Sequence, residues 1–109
     1  MYLVNQLSLQ IAQHLFIAAD RFRASQILVG PKDGVNVIYY TPGLEKFAHN
    51  LPFFDISVYF NGSRLALIDD YLVGESSGPG SGFDTVILLV PPPLSNDHLF
   101  ADYIMESHL

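Results

Sequence analysis

The residues able to do chemistry are few, and their spacing argues against most of it. Asp69 and Asp70 are adjacent carboxylates, but neighbours on a strand point to opposite faces, so as they stand they form no catalytic pair. Asp84 could approach them across a sheet and make a weak calcium site. No segment, however, has the spaced-oxygen pattern of a calcium loop. Turn chemistry, in which they accept backbone N–H groups, accounts for these carboxylates more simply. The four histidines, His14, His49, His98 and His108, show no metal-ligand spacing, and there is no cysteine to complete a zinc set. Residues 74–82, Gly-Glu-Ser-Ser-Gly-Pro-Gly-Ser-Gly, are rich in glycine, yet no lysine follows as a phosphate loop requires. They read as a flexible surface loop. Serine, histidine and carboxylate are all present, but the glycine-rich stretch that holds Ser76 and Ser81 joins two strands, so no strained strand-to-helix elbow is expected to set up a nucleophile. Asn61-Gly62-Ser63 matches a glycosylation sequon that a hairpin turn explains equally well. Tyr39, Tyr40, Tyr59, Tyr71 and Tyr103 could form a sugar-binding surface, or could simply alternate along strands. No enzymatic activity, metal or cofactor is expected.

The whole chain is consistent with that reading. Its 109 residues make one domain, with 50% hydrophobic residues to form a core. Only 15% are charged, against roughly 25% in an average soluble protein. A small domain has much surface to cover, so part of this one is expected to lie against another chain. The five basic residues, Arg21, Arg23, Lys32, Lys46 and Arg64, and a net charge of −6 argue against nucleic acid and anionic membranes as partners. The absence of cysteine leaves the redox compartment open.

Residues 2–19 contain no Lys, Arg, Asp or Glu. Without a basic start they do not read as a signal peptide, and Asn5, Gln6, Gln10, Gln13 and His14 interrupt any membrane span. Leu3, Leu7, Ile11, Leu15, Ala18 and Phe22 fall on one helical stripe. Leu9, Ala12, Phe16 and Ala19 make a second stripe nearby. A helix apolar on this much of its circumference is buried on more than one side. Either both stripes pack within the domain, or part of this apolar surface meets a partner through Leu7, Ile11, Leu15, Phe16 and Phe22.

The rest of the chain reads as β. Strands are expected over 24–29, 35–40, 55–60, 64–68, 84–90 and 98–105, with 69–73 as a bent or bulged continuation. Residues 44–54 are either a helical turn or a loop. The clearest signal is the alternation of Ile56, Val58 and Phe60 running into Asn61-Gly62, a two-residue hairpin turn in which both positions tolerate positive φ. Asp70 and Tyr71 read as structural residues at the end of the returning strand. The expected fold is mainly β: a small antiparallel sandwich or barrel of five to six strands over 24–109, behind a helical docking segment at 1–23.

An ordered set of phrases resembles a small β-module of bacteriophage tail, tail-fibre, collar and baseplate proteins. The phrases are Asp33-Gly34-Val35-Asn36, Val58-Tyr59-Phe60-Asn61-Gly62-Ser63-Arg64-Leu65, Asp69-Asp70-Tyr71-Leu72-Val73, Val86-Ile87-Leu88-Leu89-Val90-Pro91-Pro92 and Asp97-His98-Leu99-Phe100-Ala101-Asp102-Tyr103. They run in order through about two-thirds of the chain. The resemblance implies a virion structural protein with no cofactor, assembled in the host cytoplasm with copies of itself and other virion proteins. Because the module stands almost alone behind the helix-like segment, an adaptor or connector at the neck, tail, baseplate or fibre attachment is expected. The alternative is a carbohydrate- or receptor-binding module of a tail fibre.

Overall fold

The computed structural model describes residues 21–106. Expectations for Leu7, Ile11, Leu15 and Phe16, and for the helix over the preceding residues, therefore lie outside the described residues. Within them the chain is mainly β, with its strands in antiparallel sheets and almost no helix.

Nine strands are present among the described residues: β1 (Phe22–Ile27), β2 (Ile38–Tyr40), β3 (His49–Asn50), β4 (Phe53–Phe54), β5 (Ile56–Phe60), β6 (Ser63–Arg64), β7 (Tyr71–Gly74), β8 (Thr85–Leu88) and β9 (Leu99–Ile104). One sheet has the order β1-β9-β5-β6, a second β2-β8-β7, and β3 and β4 form a small hairpin. Alternation decides which side chains go inside. From the first sheet Ile56, Val58, Leu99, Ala101 and Tyr103 are buried, and from the second Tyr39, Tyr71, Val86 and Leu88. They join Leu28 and Phe47 in one core.

Several boundaries differ from those the sequence predicts. β1 begins at Phe22, so Phe22 and Arg23 belong to the sheet and not to a helical segment ending at residue 23. Both pair with β9, opposite Ile104 and Tyr103, and that ladder outweighs the helical spacing of Phe22. The register of β1 shifts between Arg23 and Gln26. At this bulge Ser25 has φ +51° and its N–H donates to Asp102 Oδ1 at 2.6 Å.

The expected return strand over 64–68 is only β6, two residues long. Leu65 N–H still donates to the Val58 carbonyl, after which the chain leaves the first sheet. Asp70 turns it: the Asp70 N–H donates to Ala66 O at 2.8 Å, and Ala66 N–H donates to Asp70 Oδ2 at 2.7 Å. The segment then enters the second sheet as β7, so 69–73 does not continue β6. Residues 44–54 are neither helical turn nor plain loop. A single 3₁₀ turn at Pro42–Leu44 precedes the β3–β4 hairpin, with a cis peptide at Leu51–Pro52. Two-residue strands carry too little alternation to be read in advance.

Candidate functional site

Charged groups meet in two corners among the described residues, each joining segments far apart in sequence. In the first, Asp84 is fully buried at the start of β8. Lys46 Nζ donates to its Oδ2 at 2.6 Å. Ser76 donates twice, through its N–H to Oδ1 at 2.9 Å and its hydroxyl to Oδ2 at 2.5 Å. The Thr85 hydroxyl donates to Oδ1 at 2.8 Å. Burial opposes the negative charge, but the donors from Lys46, Ser76 and Thr85 outweigh it and hold the carboxyl at about 2. A carboxylate so stabilised is a weak base, so the Ser76 hydroxyl beside it is not an activated nucleophile. Asp84 therefore turns into this corner and not toward Asp69 and Asp70.

The same corner orders the glycine-rich segment. Gly82 N–H donates to Glu75 Oε2 at 2.9 Å, and the Ser81 hydroxyl donates to Gly78 O at 2.6 Å. Gly82, at φ +100°, lies so close that an added Cβ would stand 3.0 Å from Glu106 Oε2 and 3.1 Å from Lys46 Cγ. Residues 74–82 are thus a pinned loop, where composition alone predicts a flexible one.

Nearby, Glu45 accepts the Tyr103 hydroxyl at 2.5 Å and lies 3.4 Å from Arg23 Nε. Burial raises the Tyr103 hydroxyl above its ordinary value, and the Glu45 charge and hydrogen bond raise it further. The hydroxyl is thereby kept as a proton donor to a structural carboxylate.

The second corner surrounds the predicted hairpin. Asn61 and Gly62 have φ +49° and +85°, as the turn requires. The Asn61 side chain does more than shape that turn. Its Nδ2 donates to Asp97 Oδ1 at 2.9 Å, and its Oδ1 accepts the His98 N–H at 2.8 Å. Asp97 Oδ2 also accepts the Leu94 N–H, and Lys32 Nζ donates to the Asp97 carbonyl. The bond from Asn61 leads the causes that lower the Asp97 carboxyl below its ordinary value.

The remaining candidates do not converge. His49 packs edge-on against Phe83, with ring centroids 4.8 Å apart, and His98 stacks on Phe100. Among the described residues no group of three or more His, Cys, Asp or Glu side chains could hold a metal ion. Tyr39, Tyr71 and Tyr103 are core residues, and Tyr40 and Tyr59 stand on different sheets, so the five tyrosines make no common surface. Of the suspected site residues, Tyr71 is core and Asp70 closes its own turn. Phe22 is 47% exposed beside Ile104.

The surface carries the other notable feature. Twelve large hydrophobic side chains among the described residues are exposed, including Phe53 at 72% and Val35 at 78%. Among the described residues no helix is long and apolar enough to cross a membrane. No protein-family model matches the chain, and no curated protein or solved structure matches it.

Proposed function

We propose that this chain is a non-enzymatic virion structural protein of a bacteriophage. It acts as an adaptor or connector at the neck, tail, baseplate or fibre attachment, by assembling with copies of itself and other virion proteins. Its two sheets are read as a small β-sandwich, and residues 1–20 as the body of its docking segment. The ordered resemblance of residues 33–104 to the phage module supports the virion setting.

One observation carries the assembly reading. Charged groups whose hydrogen bonds are resolved, such as Lys46, Asp84, Asp97 and Glu45, serve internal bonds, while twelve large apolar side chains of the described residues face outward. Singly exposed apolar residues are ordinary, but so many on one small chain of low charge fit a surface meant to be covered.

Light scattering of the purified chain over a concentration series tests the reading. A defined oligomer, or aggregation relieved by a co-encoded partner, is expected. A stable monomer throughout would overturn it. Leu7→Glu combined with Ile11→Glu is expected to abolish assembly while leaving the β-sheet circular dichroism intact.

A further inference from the structure

Asn61 is the only asparagine in the chain that is followed by glycine. That dipeptide has a chemistry of its own. Glycine has no Cβ, so its backbone nitrogen can come close to the preceding side chain. The Gly62 nitrogen attacks Asn61 Cγ. The new N–Cγ bond closes a five-membered succinimide as the Cγ–Nδ2 bond breaks, and the Gly62 amide proton leaves with Nδ2 as ammonia. Water then opens the ring at either carbonyl and gives aspartate or isoaspartate. The balance is one water consumed and one ammonia released, with no oxidant or reductant.

Packing does not shield this dipeptide. Asn61 and Gly62 are exposed at the tip of the β5–β6 hairpin, and a Cβ on Gly62 would meet nothing within 4 Å. Hydrogen bonds restrain it instead. Asn61 Nδ2 donates to Asp97 Oδ1 at 2.9 Å, Asn61 Oδ1 accepts the His98 N–H at 2.8 Å, and the Asn61 N–H donates to the His98 carbonyl at 2.8 Å. The partners are themselves fixed. Asp97 Oδ2 accepts the Leu94 N–H at 2.8 Å, the Asp97 N–H donates to Leu94 O at 2.9 Å, and Lys32 Nζ donates to the Asp97 carbonyl at 2.7 Å. The His98 ring stacks on Phe100 with the planes 10° apart. With both ends of the carboxamide tied to residues 97 and 98, its plane cannot rotate toward the Gly62 nitrogen unless these bonds break. Ionised Asp97 is an acceptor only and has no proton to give the departing nitrogen.

We infer that Asn61 is a site of spontaneous deamidation that the Asp97–His98 corner holds unreactive in the folded chain. Opening of residues 94–98 frees the amide for attack, and the change is then permanent. The product carboxylate faces Asp97 Oδ1 where Nδ2 now donates, two acceptors of like charge with no proton between them. Isoaspartate also carries the main chain through its side-chain carbons, and so lengthens a turn whose two residues set the strand register. Deamidation thus parts the hairpin from the Asp97 loop, whether or not the chain assembles.

The full-length chain and its variants are incubated in mildly alkaline buffer, with and without urea. Trypsin then frees residues 47–64 as one peptide, by cleavage after Lys46 and Arg64. Mass spectrometry follows its conversion from amide to acid, and fragmentation assigns the change to Asn61. In buffer the parent should react at least roughly tenfold more slowly than in urea, as two net hydrogen bonds imply. Asp97→Ala should react faster than the parent by roughly fivefold, the share of one such bond. Asp97→Ser keeps a hydroxyl for the Leu94 N–H but is too short for Asn61, so it should match Asp97→Ala and replaces it in the test if alanine disrupts the fold. Asp97→Asn, which still offers an oxygen to Nδ2, should stay near the parent, as should Asp84→Asn, which weakens the other corner. Circular dichroism establishes that each variant is folded. A parent equally fast with and without urea would overturn the inference, as would folded Asp97→Ala and Asp97→Ser at the parent rate. Acceleration by Asp84→Asn equal to that by Asp97→Ala would overturn it in favour of global stability as the source of protection. The deamidated chain, separated by its extra negative charge, should unfold at lower urea than the parent. An equal midpoint would overturn the parting of the hairpin.

Discussion

Lys46 and Asp84, 38 positions apart, meet at 2.6 Å, with the Asp84 carboxylate wholly removed from water. The pair ties the segment after the 3₁₀ turn to the start of β8, and Ser76 adds the glycine-rich loop to the same carboxylate. Removing one partner of a buried pair leaves the other uncompensated, which costs about 3–5 kcal/mol in full burial. Lys46 keeps 22% of its side chain exposed, so it recovers part of this from solvent. Asp84→Ala is therefore expected to cost about 3 kcal/mol in urea denaturation, and Asp84→Asn less, since an amide oxygen still accepts from Ser76. A loss near zero for Asp84→Ala would show that the loop is held by something else.

Acid should act through the same group. The Asp84 carboxyl stands at about 2 in the folded chain against an ordinary 3.8. As pH falls, the unfolded chain takes up the proton first. The stabilisation is therefore complete above about pH 5 and is lost progressively as pH falls through 3.8 toward 2 and below, amounting to about 2 kcal/mol. Asp33 and Asp97 are lowered as well and act in the same direction. Urea midpoints at pH 6, 4 and 2.5 should fall more steeply for the parent chain than for Asp84→Asn. Parallel slopes would remove Asp84 from the acid response.

Wherever one run of residues contained the whole signal, the sequence was legible. Ile56, Val58 and Phe60 alternate into Asn61-Gly62, and the structure has that strand and that turn. The run around Leu99, Ala101 and Tyr103 likewise appears as β9, the strand that pairs with both β1 and β5. What was not legible depends on partners distant in the chain. Nothing near Asp84 announces Lys46, and Asp97 lies 36 positions from Asn61. The turn at 66–70 was hidden because Leu65, Leu67 and Tyr71 keep an apolar alternation while the chain changes sheets. Phe22 sat on a helical stripe because steps of four satisfy a strand's period of two equally well.

Asn61 has two separable roles, and two substitutions divide them. Asn61→Gly keeps a residue at ease with φ +49° and removes the links to Asp97 and His98. Asn61→Ala removes the links and also places a Cβ-bearing residue without a local hydrogen bond in the left-handed region. A net hydrogen bond contributes about 1 kcal/mol, so Asn61→Gly should cost about 1–2 kcal/mol in chemical denaturation. Asn61→Ala should cost roughly 1 kcal/mol more, the left-handed penalty for a residue with a Cβ. Equal losses for the two would mean that the side-chain links dominate and the turn geometry contributes little.

Ile68 sits in the same left-handed region with less reason. Its φ is +77°, although it is β-branched, and its side chain is 70% exposed. The Ile68 N–H donates to Tyr71 O at 2.7 Å, which holds the residue in that conformation at the entrance to β7. Backbone strain of this kind costs about 1–3 kcal/mol, and little packing offsets it. Ile68→Gly relieves the strain, against roughly 0.5–1 kcal/mol of added freedom in the unfolded chain. The net expectation is a gain of about 1 kcal/mol, or roughly 4–8 °C in Tm. Ile68→Val, which keeps the branch and hence the strain, should leave Tm nearly unchanged. A fall in Tm for Ile68→Gly would mean that the isoleucine side chain makes a stabilising contact outweighing its backbone. Light scattering on the same variant separates folding from assembly. A stabilised chain of unchanged mass leaves Ile68 outside the interface, whereas a stabilised chain of lower mass assigns the exposed isoleucine to a partner contact that compensates the strain.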